Sequence, residues 1–442
     1  MVDLLFTILI VYSVIEILML KKVEKFIFNA KYTSGNLDKK NEIEIIVVIP
    51  VFKEQSIIIE SIDWMSNLNY TGKKIIYVGT EFEKGTLNTI KKGKEYVKRS
   101  NLGGVSFIEA PKSIHGKAKQ LNYAINSYNC KDKQSKRTYF CFFDADSRPH
   151  KEVLNELQKS IIINKFPVAI QIPSLYTKNY HDVTRYAKWE SIYQQKRVFL
   201  NEIYAQYKTL TNKYTYAYMV GHGMCLERAY LIKTKKFSEP FDDVSMGQRL
   251  RMMGIPIIPM KTFDHADVAL SLKDIFKQSG GWFLGGLVYR EYLRNKKLGI
   301  KLPMDTRLNI IFRGVLDSSS WFFYGMLVFT GMFYVEKKIL FIFWILSQAI
   351  TLYVTDRLCN KIELINNIPE HGYLKKIEYI IAAIVRPVIR ASVLFSCISI
   401  FIRRGKIEKT RRVEDCKNET SYRHYRRKIW NQIKKSNTRD SK

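Results

Sequence analysis

The chain has 442 residues, 46% hydrophobic, 13% aromatic and 26% charged, which is enough apolar material for a buried core and excludes a wholly disordered polymer. Lysine and arginine number 72 against 41 acids, a formal charge of +31, so an anionic partner is expected: nucleic acid, anionic lipid or a phosphorylated substrate. The six cysteines stand singly, at 130, 141, 225, 359, 397 and 416, which argues against a zinc module or disulfide framework and fits a reducing compartment.

In chain order, residues 4–20 form an apolar stretch with one acid, Glu16, at the short end for a membrane span. Lys21, Lys22 and Lys25 follow at once, while residues 1–3 carry no basic side chain, so residues 1–22 read as an anchor with its N-terminus outside. No basic n-region or small-x-small cleavage site marks a signal peptide. A polar linker spans 23–43. From 44 to 270, short apolar runs alternate with amphipathic stretches, and strands are expected at 45–49, 74–78, 105–108, 138–143, 168–172 and 218–226. Continuous apolar strands are those covered on both faces, so this region predicts an α/β domain with a largely parallel sheet.

Residues 271–307 read as an interfacial segment, and beyond Pro303 the composition shifts. The apolar runs 315–335 and 339–354 are separated only by Glu336, Lys337 and Lys338, predicting a membrane hairpin within 308–356. A third apolar region, 377–402, is interrupted by Arg386, Pro387 and Arg390. The tail 403–442 holds 15 basic and 5 acidic residues, a net +10, and a single crossing by 377–402 would put that charge outside. Residues 357–402 therefore read as a loop followed by an interfacial helix or broken hairpin, its arginines reaching lipid headgroups.

Four groups of residues carry chemistry. Asp144 and Asp146 follow the apolar run TYFCFF. Carboxylates at i and i+2 beyond a strand's carboxyl end can share one hard cation, and ligands of open α/β sheets collect at that end. Asp242 and Asp243 open the helical pattern of FDDVSMGQRLRMMG, as caps or with Asp243 as a general base. Gln278 and Trp282 occur in FKQSGGW, where an aromatic ring suits either a membrane interface or a sugar face. His115-Gly116-Lys117 lacks the P-loop spacing, yet Lys117 is placed to meet phosphate. His265 in TFDHADV is expected to be a hydrogen-bonded loop residue rather than a metal ligand.

Taken in order, VVIPVFKE (47–54), HGKAKQLNYAI, FFDAD, GHGMCLE (221–227), FDDVSMGQRL and QSGGW resemble the motifs of membrane-embedded family 2 glycosyltransferases, the superfamily of cellulose, hyaluronan and poly-N-acetylglucosamine synthases. The resemblance covers residues 45–282 by motif and the membrane segments by layout. It implies a GT-A catalytic domain and an inverting transfer from a nucleotide-sugar, with UDP as the expected nucleotide, to a growing polysaccharide or lipid-linked acceptor. Donor contacts would come from Pro50, Glu54, Glu81, Lys117, Asp144 and Asp146, with Mg²⁺ or Mn²⁺ on Asp144 and Asp146. Asp243 would be the base, with Asp242, Gln278 and Trp282 toward the acceptor. Residues 406–412 (KIEKTRR) resemble the family's basic segment after the last membrane region.

The sequence departs from the pattern where Gly281 replaces the arginine of Gln-x-x-Arg-Trp, leaving Lys277 or an arginine elsewhere to meet the diphosphate. It departs again at Gly79-Thr80-Glu81, where the family often carries two adjacent aspartates. Cytoplasmic nucleotide-sugars and anionic inner-leaflet lipids account for the positive charge without nucleic acid. The competing readings are transfer to a polyprenyl phosphate, and a non-catalytic membrane-surface protein on a degenerate transferase domain.

Overall fold

The computed structural model describes residues 2–285 apart from 30–41, 81–87, 115, 129–136, 213–214, 235 and 239–241; beyond these it describes 338–366, 370–386 and the isolated residues 308, 311–312, 333–334, 336 and 389.

The central sheet starts from the apolar runs. Strands β1 (Ile43–Pro50), β2 (Lys74–Thr80), β3 (Val105–Ala110) and β4 (Arg137–Phe142) pair in parallel, in the order β3-β2-β1-β4. Both faces of β1 are covered, Ile45, Val47 and Ile49 entering one core and Ile46 and Val48 the other. That is why β1 reads as an unbroken apolar run rather than an alternating one. Helices α2 (Ile58–Ser66) and α3 (Thr89–Ser100) pack together over one face, and α4 (Lys117–Ser127) packs on β1 and β2.

After β4 come the short β5 (Arg148–Pro149), then α5 (Val153–Ile163), β6 (Ala169–Gln171) and β7 (Ser174–Leu175). Helix α6 (Arg185–Arg197) runs through a π-helical stretch, Val198–Tyr204, into α7 (Ala205–Thr209). Then follow β8 (Met224–Glu227), α8 (Arg228–Lys233), α9 (Asp242–Met252), β9 (Ile258–Pro259), β10 (Asp264–His265) and α10 (Leu272–Gly285). The large sheet continues β4-β8-β6-β9, with β8 antiparallel to both neighbours; a small sheet is ordered β5-β10-β7. The fold is thus α/β with a mostly parallel central sheet, as the sequence predicts. The expected strand 218–226 pairs only over Met224–Glu227, because Gly223 has φ +71 and a side chain there would stand 2.3 Å from the Ile172 carbonyl. Residues 218–223 form a loop instead.

Among the described residues two helices are long and apolar enough to cross a bilayer: α1 (Val2–Asn29) and α11 (Lys338–Ile365). They lie parallel, since Phe6 meets Phe341 and Trp344, Ser13 meets Gln348, and Glu24 meets Lys361. Leu4, Ile8, Val11 and Leu18 on α1, and Ile342, Phe343, Leu346 and Ile350 on α11, are exposed. The C-terminal ends dock on the α/β unit, Leu20, Val23 and Ile27 of α1 and Leu358 of α11 packing with Phe199 and Ile203. Glu16, the lone acid of the first apolar stretch, is buried and paired with Lys196 of α6 at 2.8 Å, so its charge is matched rather than exposed to an apolar surround. Helix α11 continues eleven residues past the expected arm at 354. The other arm, 315–332, and the tail 403–442 lie outside the described residues.

One expectation is corrected. Residues 376–386 are helical, but Arg386 does not reach outward. Its guanidinium stacks 3.4 Å from the Tyr193 ring centroid and lies 3.9 Å from Glu190, both on α6, and the residue is buried. A cation amid aromatic and carboxylate partners is more favourably placed there than at the centre of an apolar helix. Arg390 lies outside the described residues.

Candidate active site

Asp144 and Asp146 sit on a turn at the carboxyl end of β4. The turn is closed by Ser147, whose hydroxyl accepts the Asp144 N–H at 3.2 Å while its own N–H donates to the Asp144 carbonyl at 3.1 Å. Arg148, almost wholly buried, braces it by donating to the carbonyls of Ala145 (3.0 Å) and Ser147 (2.7 Å) and pairing with Glu60 at 3.0 Å. Both carboxylate-bearing residues remain partly exposed. Two acids in this pattern on one firm turn suit a hard divalent cation that keeps further positions for phosphate oxygens.

Lys117 opens α4 directly after Gly116, whose φ of +89 lets the chain turn into the helix. Its ammonium pairs with Asp144 Oδ1 at 2.7 Å and donates to the Gly221 carbonyl at 3.0 Å. Burial works against that charge, but Asp144, Asp242 and Asp243 outweigh it and hold the ammonium protonated.

Asp243 stands in the first turn of α9. Its Oδ2 accepts the Gly221 N–H at 2.8 Å and its Oδ1 accepts the Val244 N–H at 2.7 Å. A methyl group added at Gly221 would lie 2.9 Å from Lys117 Nζ and 3.0 Å from Asp243 Oδ2. Gly221 thus joins the Asp144 turn, through Lys117 at its carbonyl, to the carboxylate of Asp243 at its N–H.

Asp242 is buried, with Oδ2 lacking any hydrogen bond. Burial first, then the neighbouring Asp243 and Asp144, push its carboxyl up to about 7, although Lys117 pulls the other way. It lies inside the charge cluster rather than on an open surface.

The loop 220–223 is itself clamped. Gln171 accepts the Val220 N–H at 3.0 Å and donates to the His222 carbonyl at 2.9 Å. The His222 ring lies against Ser174 (2.7 Å) and Asp264 (3.3 Å) at Nδ1 and against the Tyr176 hydroxyl (3.1 Å) at Nε2. Burial lowers the basicity of this ring, but Asp264 reverses the effect and the net shift is upward.

Of the other expected donor residues, Pro50 closes β1, and Glu54 is buried just beyond it with its N–H donated to Thr89 at 2.9 Å. Gln278 on α10 accepts a long bond, 3.4 Å, from Gln194 of α6. Trp282 belongs to α10 by its backbone; its side chain, the side chain of Lys277, and Glu81, His115 and Phe241 lie outside the described residues. His265 contacts Thr177 at 2.9 Å and is desolvated, its pKa lowered to about 4, which agrees with a hydrogen-bonded histidine.

Sequence reasoning missed His222 and Asp264, and it missed Lys178. The ammonium of Lys178 lies 3.4 Å from the Asp146 carbonyl and 3.5 Å from Asp267, beside the Asp144–Asp146 turn. The His in GHG was a signal in plain view; a lysine in a loop after a two-residue strand was not.

An α/β sheet of this order, with paired carboxylates at the end of β4 and a carboxylate-led helix facing them, defines a GT-A-like transferase of nucleotide-activated sugars. The chain belongs to the glycosyltransferase-like family 2, whose sequence pattern matches residues 43–267. Among solved structures it is similar to the mannosyltransferase PcManGT of Pyrobaculum calidifontis, in complex with GDP-Man and Mn²⁺, at 12% identity over 88% of this chain and 99% of that one, TM-score 0.47. It is similar to residues 1–349 of S. aureus TarS in complex with UDP-GlcNAc, at 12% identity over 84% and 95%, TM-score 0.41. The glucosyl-3-phosphoglycerate synthase of Mycobacterium tuberculosis, with Mn²⁺, UDP and phosphoglyceric acid, matches at 13% identity over 54% and 75%, TM-score 0.34. No curated protein matches the chain in sequence.

Proposed function

We propose that this glycosyltransferase is a membrane-anchored inverting enzyme that moves a sugar from a UDP-sugar to a hydroxyl of a growing polysaccharide or lipid-linked acceptor at the cytoplasmic face. The observation that carries the reading is the backbone of Gly221, which holds Asp243 by its N–H and Lys117, and through it Asp144, by its carbonyl.

Asp144 and Asp146 are the residues that would hold Mg²⁺ or Mn²⁺. Such an ion supplies charge neutralisation at the diphosphate leaving group. Lys117 adds a fixed positive charge on the same side, while Pro50, Glu54 and Glu81 belong to the nucleotide side. The acceptor oxygen attacks the anomeric carbon while its proton passes to the Asp243 carboxylate. The bond from that carbon to the diphosphate oxygen breaks, and the nucleoside diphosphate leaves with the bonding pair. Attack opposite to departure inverts the configuration. Each Asp243 oxygen accepts one backbone N–H, which fixes its orientation and leaves lone-pair capacity for the proton. Gln278, Trp282 and Asp242 are assigned to the acceptor side.

The domain plan follows: anchor 1–22, linker 23–43, catalytic domain 44–270, interfacial segment 271–307, hairpin 308–356, then a helix-containing segment 357–402 and a basic tail 403–442 on anionic lipid. The parallel lie of α1 and α11 supports two crossings in the same direction, outside to inside. A return crossing between them gives the hairpin.

The test is Asp243→Asn. Asparagine caps a helix about as well as aspartate, so the variant should fold and bind donor; its single amide oxygen keeps one of the two N–H bonds, and transfer falls by about 10²–10⁴-fold for want of a base. Wild-type turnover by the variant would leave Asp243 as a cap alone, and would favour a phosphate acceptor that needs no base.

A further inference from the structure

Away from the charge cluster, α11 carries a second group of buried polar residues. Asp356, Asn360 and Glu363 lie on one face near its C-terminal end, all buried, and His371 packs between the two acids. The His371 Nε2 faces Asp356 Oδ1 at 2.7 Å and its Nδ1 faces Glu363 Oε2 at 2.7 Å. A carboxylate can only accept, so both ring nitrogens carry hydrogen and the ring is an imidazolium. Burial opposes that state, but the two carboxylates prevail and push its pKa up to about 9. The chain from 371 to 379 wraps the group: the N–H of His371 donates to Glu363 (3.0 Å), the N–H of Leu374 to Asp356 (3.3 Å), and the Tyr379 hydroxyl to Asp356. The Cys359 thiol lies near Glu363 and His371, whose ring nitrogens both face carboxylates, while the buried Asn360 Oδ1 has no hydrogen-bond partner among the described residues.

The network leaves the membrane helix through Glu363 Oε1, which accepts the Thr177 hydroxyl. Thr177 has one hydroxyl hydrogen, given to Glu363, so at 2.9 Å it accepts from His265 Nε2–H. Neutral His265, with its pKa lowered to about 4, fits that role. His265 is one of the two residues of β10; the other is Asp264, and successive side chains of a strand point to opposite faces. Asp264 contacts His222, whose neighbour Gly221 holds Asp243 and Lys117.

We propose that the Asp356–His371–Glu363 clasp is a positioning device for the catalytic loop, acting through Thr177 and the two-faced strand β10 on His222. The end of the membrane helix is then part of the catalytic scaffold, and seating α11 sets where the Gly221 peptide lies. The proposal rests on the transferase reading for its catalytic consequence, but not for its structural one.

The experiment compares Thr177→Val and Thr177→Ser in the full-length protein in lipid nanodiscs, reading backbone hydrogen exchange at 218–223 alongside transfer kinetics. Serine keeps the hydroxyl and valine removes it at similar size. Loss of a buried hydrogen bond should speed exchange of the loop by about tenfold in the valine variant only. In the same variant kcat should fall by about as much, with the donor KM unchanged. Glu363→Gln, combined with His222→Gln, should lower kcat by less than the product of the two single effects. Loop exchange that is the same in valine and serine variants, or single effects that simply multiply, overturns the proposal. Faster exchange in a protein that turns over no nucleotide-sugar would keep the clasp and reject the transferase reading.

Discussion

Gly221→Ala tests the geometry of the centre most locally. Gly221 is not in the left-handed region, so the backbone accepts alanine. The new methyl would stand 2.9 Å from Lys117 Nζ and 3.0 Å from Asp243 Oδ2, inside normal contact distance for both. The lysine end is flexible and can retreat, loosening its 2.7 Å pair with Asp144. The carboxylate, tied to α9, must turn away from the Gly221 N–H. Displacements approaching 1 Å at reacting groups cost about 10²-fold in rate; a shift of a few tenths of an ångström should therefore cost about tenfold or somewhat more. Stability should move little, because solvent and neighbouring amides remain to satisfy the displaced groups. Gly223→Ala is the control of opposite character: at φ +71, and with the Ile172 carbonyl 2.3 Å from the new methyl, it should impair folding. The assay is nucleoside diphosphate release beside thermal unfolding for both variants. Full activity in Gly221→Ala would refute the claim that Lys117 and Asp243 serve one centre.

Three further expectations follow from other parts of the molecule. Asp242 has a folded pKa raised to about 7, so the stability it lends is whole below the ordinary carboxylate pKa and is lost as pH rises toward 7; Asp242→Asn should flatten that decline in a denaturation series run from pH 4 to 8. If Lys178, 3.4 Å from the Asp146 carbonyl, meets the donor's charge, Lys178→Met should raise the donor KM by about tenfold, the scale of one lost charge-assisted contact, and Lys178→Arg should recover most of it; equal KM in all three proteins would show that Lys178 does not contact the donor. In intact cells, single cysteines labelled by an impermeant reagent should react near Lys337 and stay protected in the tail beyond 403. The reverse pattern would invert the proposed topology.

The parallel half of the sheet was legible because β1 and β4 are buried on both faces, which leaves continuous apolar runs such as IEIIVVIP. The two-residue strands β5, β7 and β10 were not, since two residues show no periodicity and their pairing is set by distant chain. The run 218–226 looked like one strand because glycine gives no local warning of a positive φ. The turn at Asp144 and the helix start at Asp243 were readable from type and spacing. Their meeting at Gly221 was not, for nothing local reports a contact across 22 residues. The span from α6 through the π-helical stretch hides Glu202, Gln195 and Gln206 among apolar neighbours, which blurs its amphipathic pattern. Asp356, Asn360 and Glu363, four and three residues apart in an apolar helix, were a visible signal that polar groups on an apolar helix seek partners. Arg386 carried the same signal and was read toward lipid; its partner, Tyr193, lies on an element whose position only the fold supplies.

The central claim is cation-assisted turnover of a nucleotide-sugar at Asp144 and Asp146. Its most direct measurement is nucleoside diphosphate release by the purified full-length protein over a panel of UDP- and GDP-sugars, with Mg²⁺, with Mn²⁺ and with chelator. The account predicts release from one donor class, abolished by chelator and by Asp146→Asn, and reduced by Asp144→Asn. Release that is indifferent to chelator and to both substitutions, or no release from any donor, would contradict it.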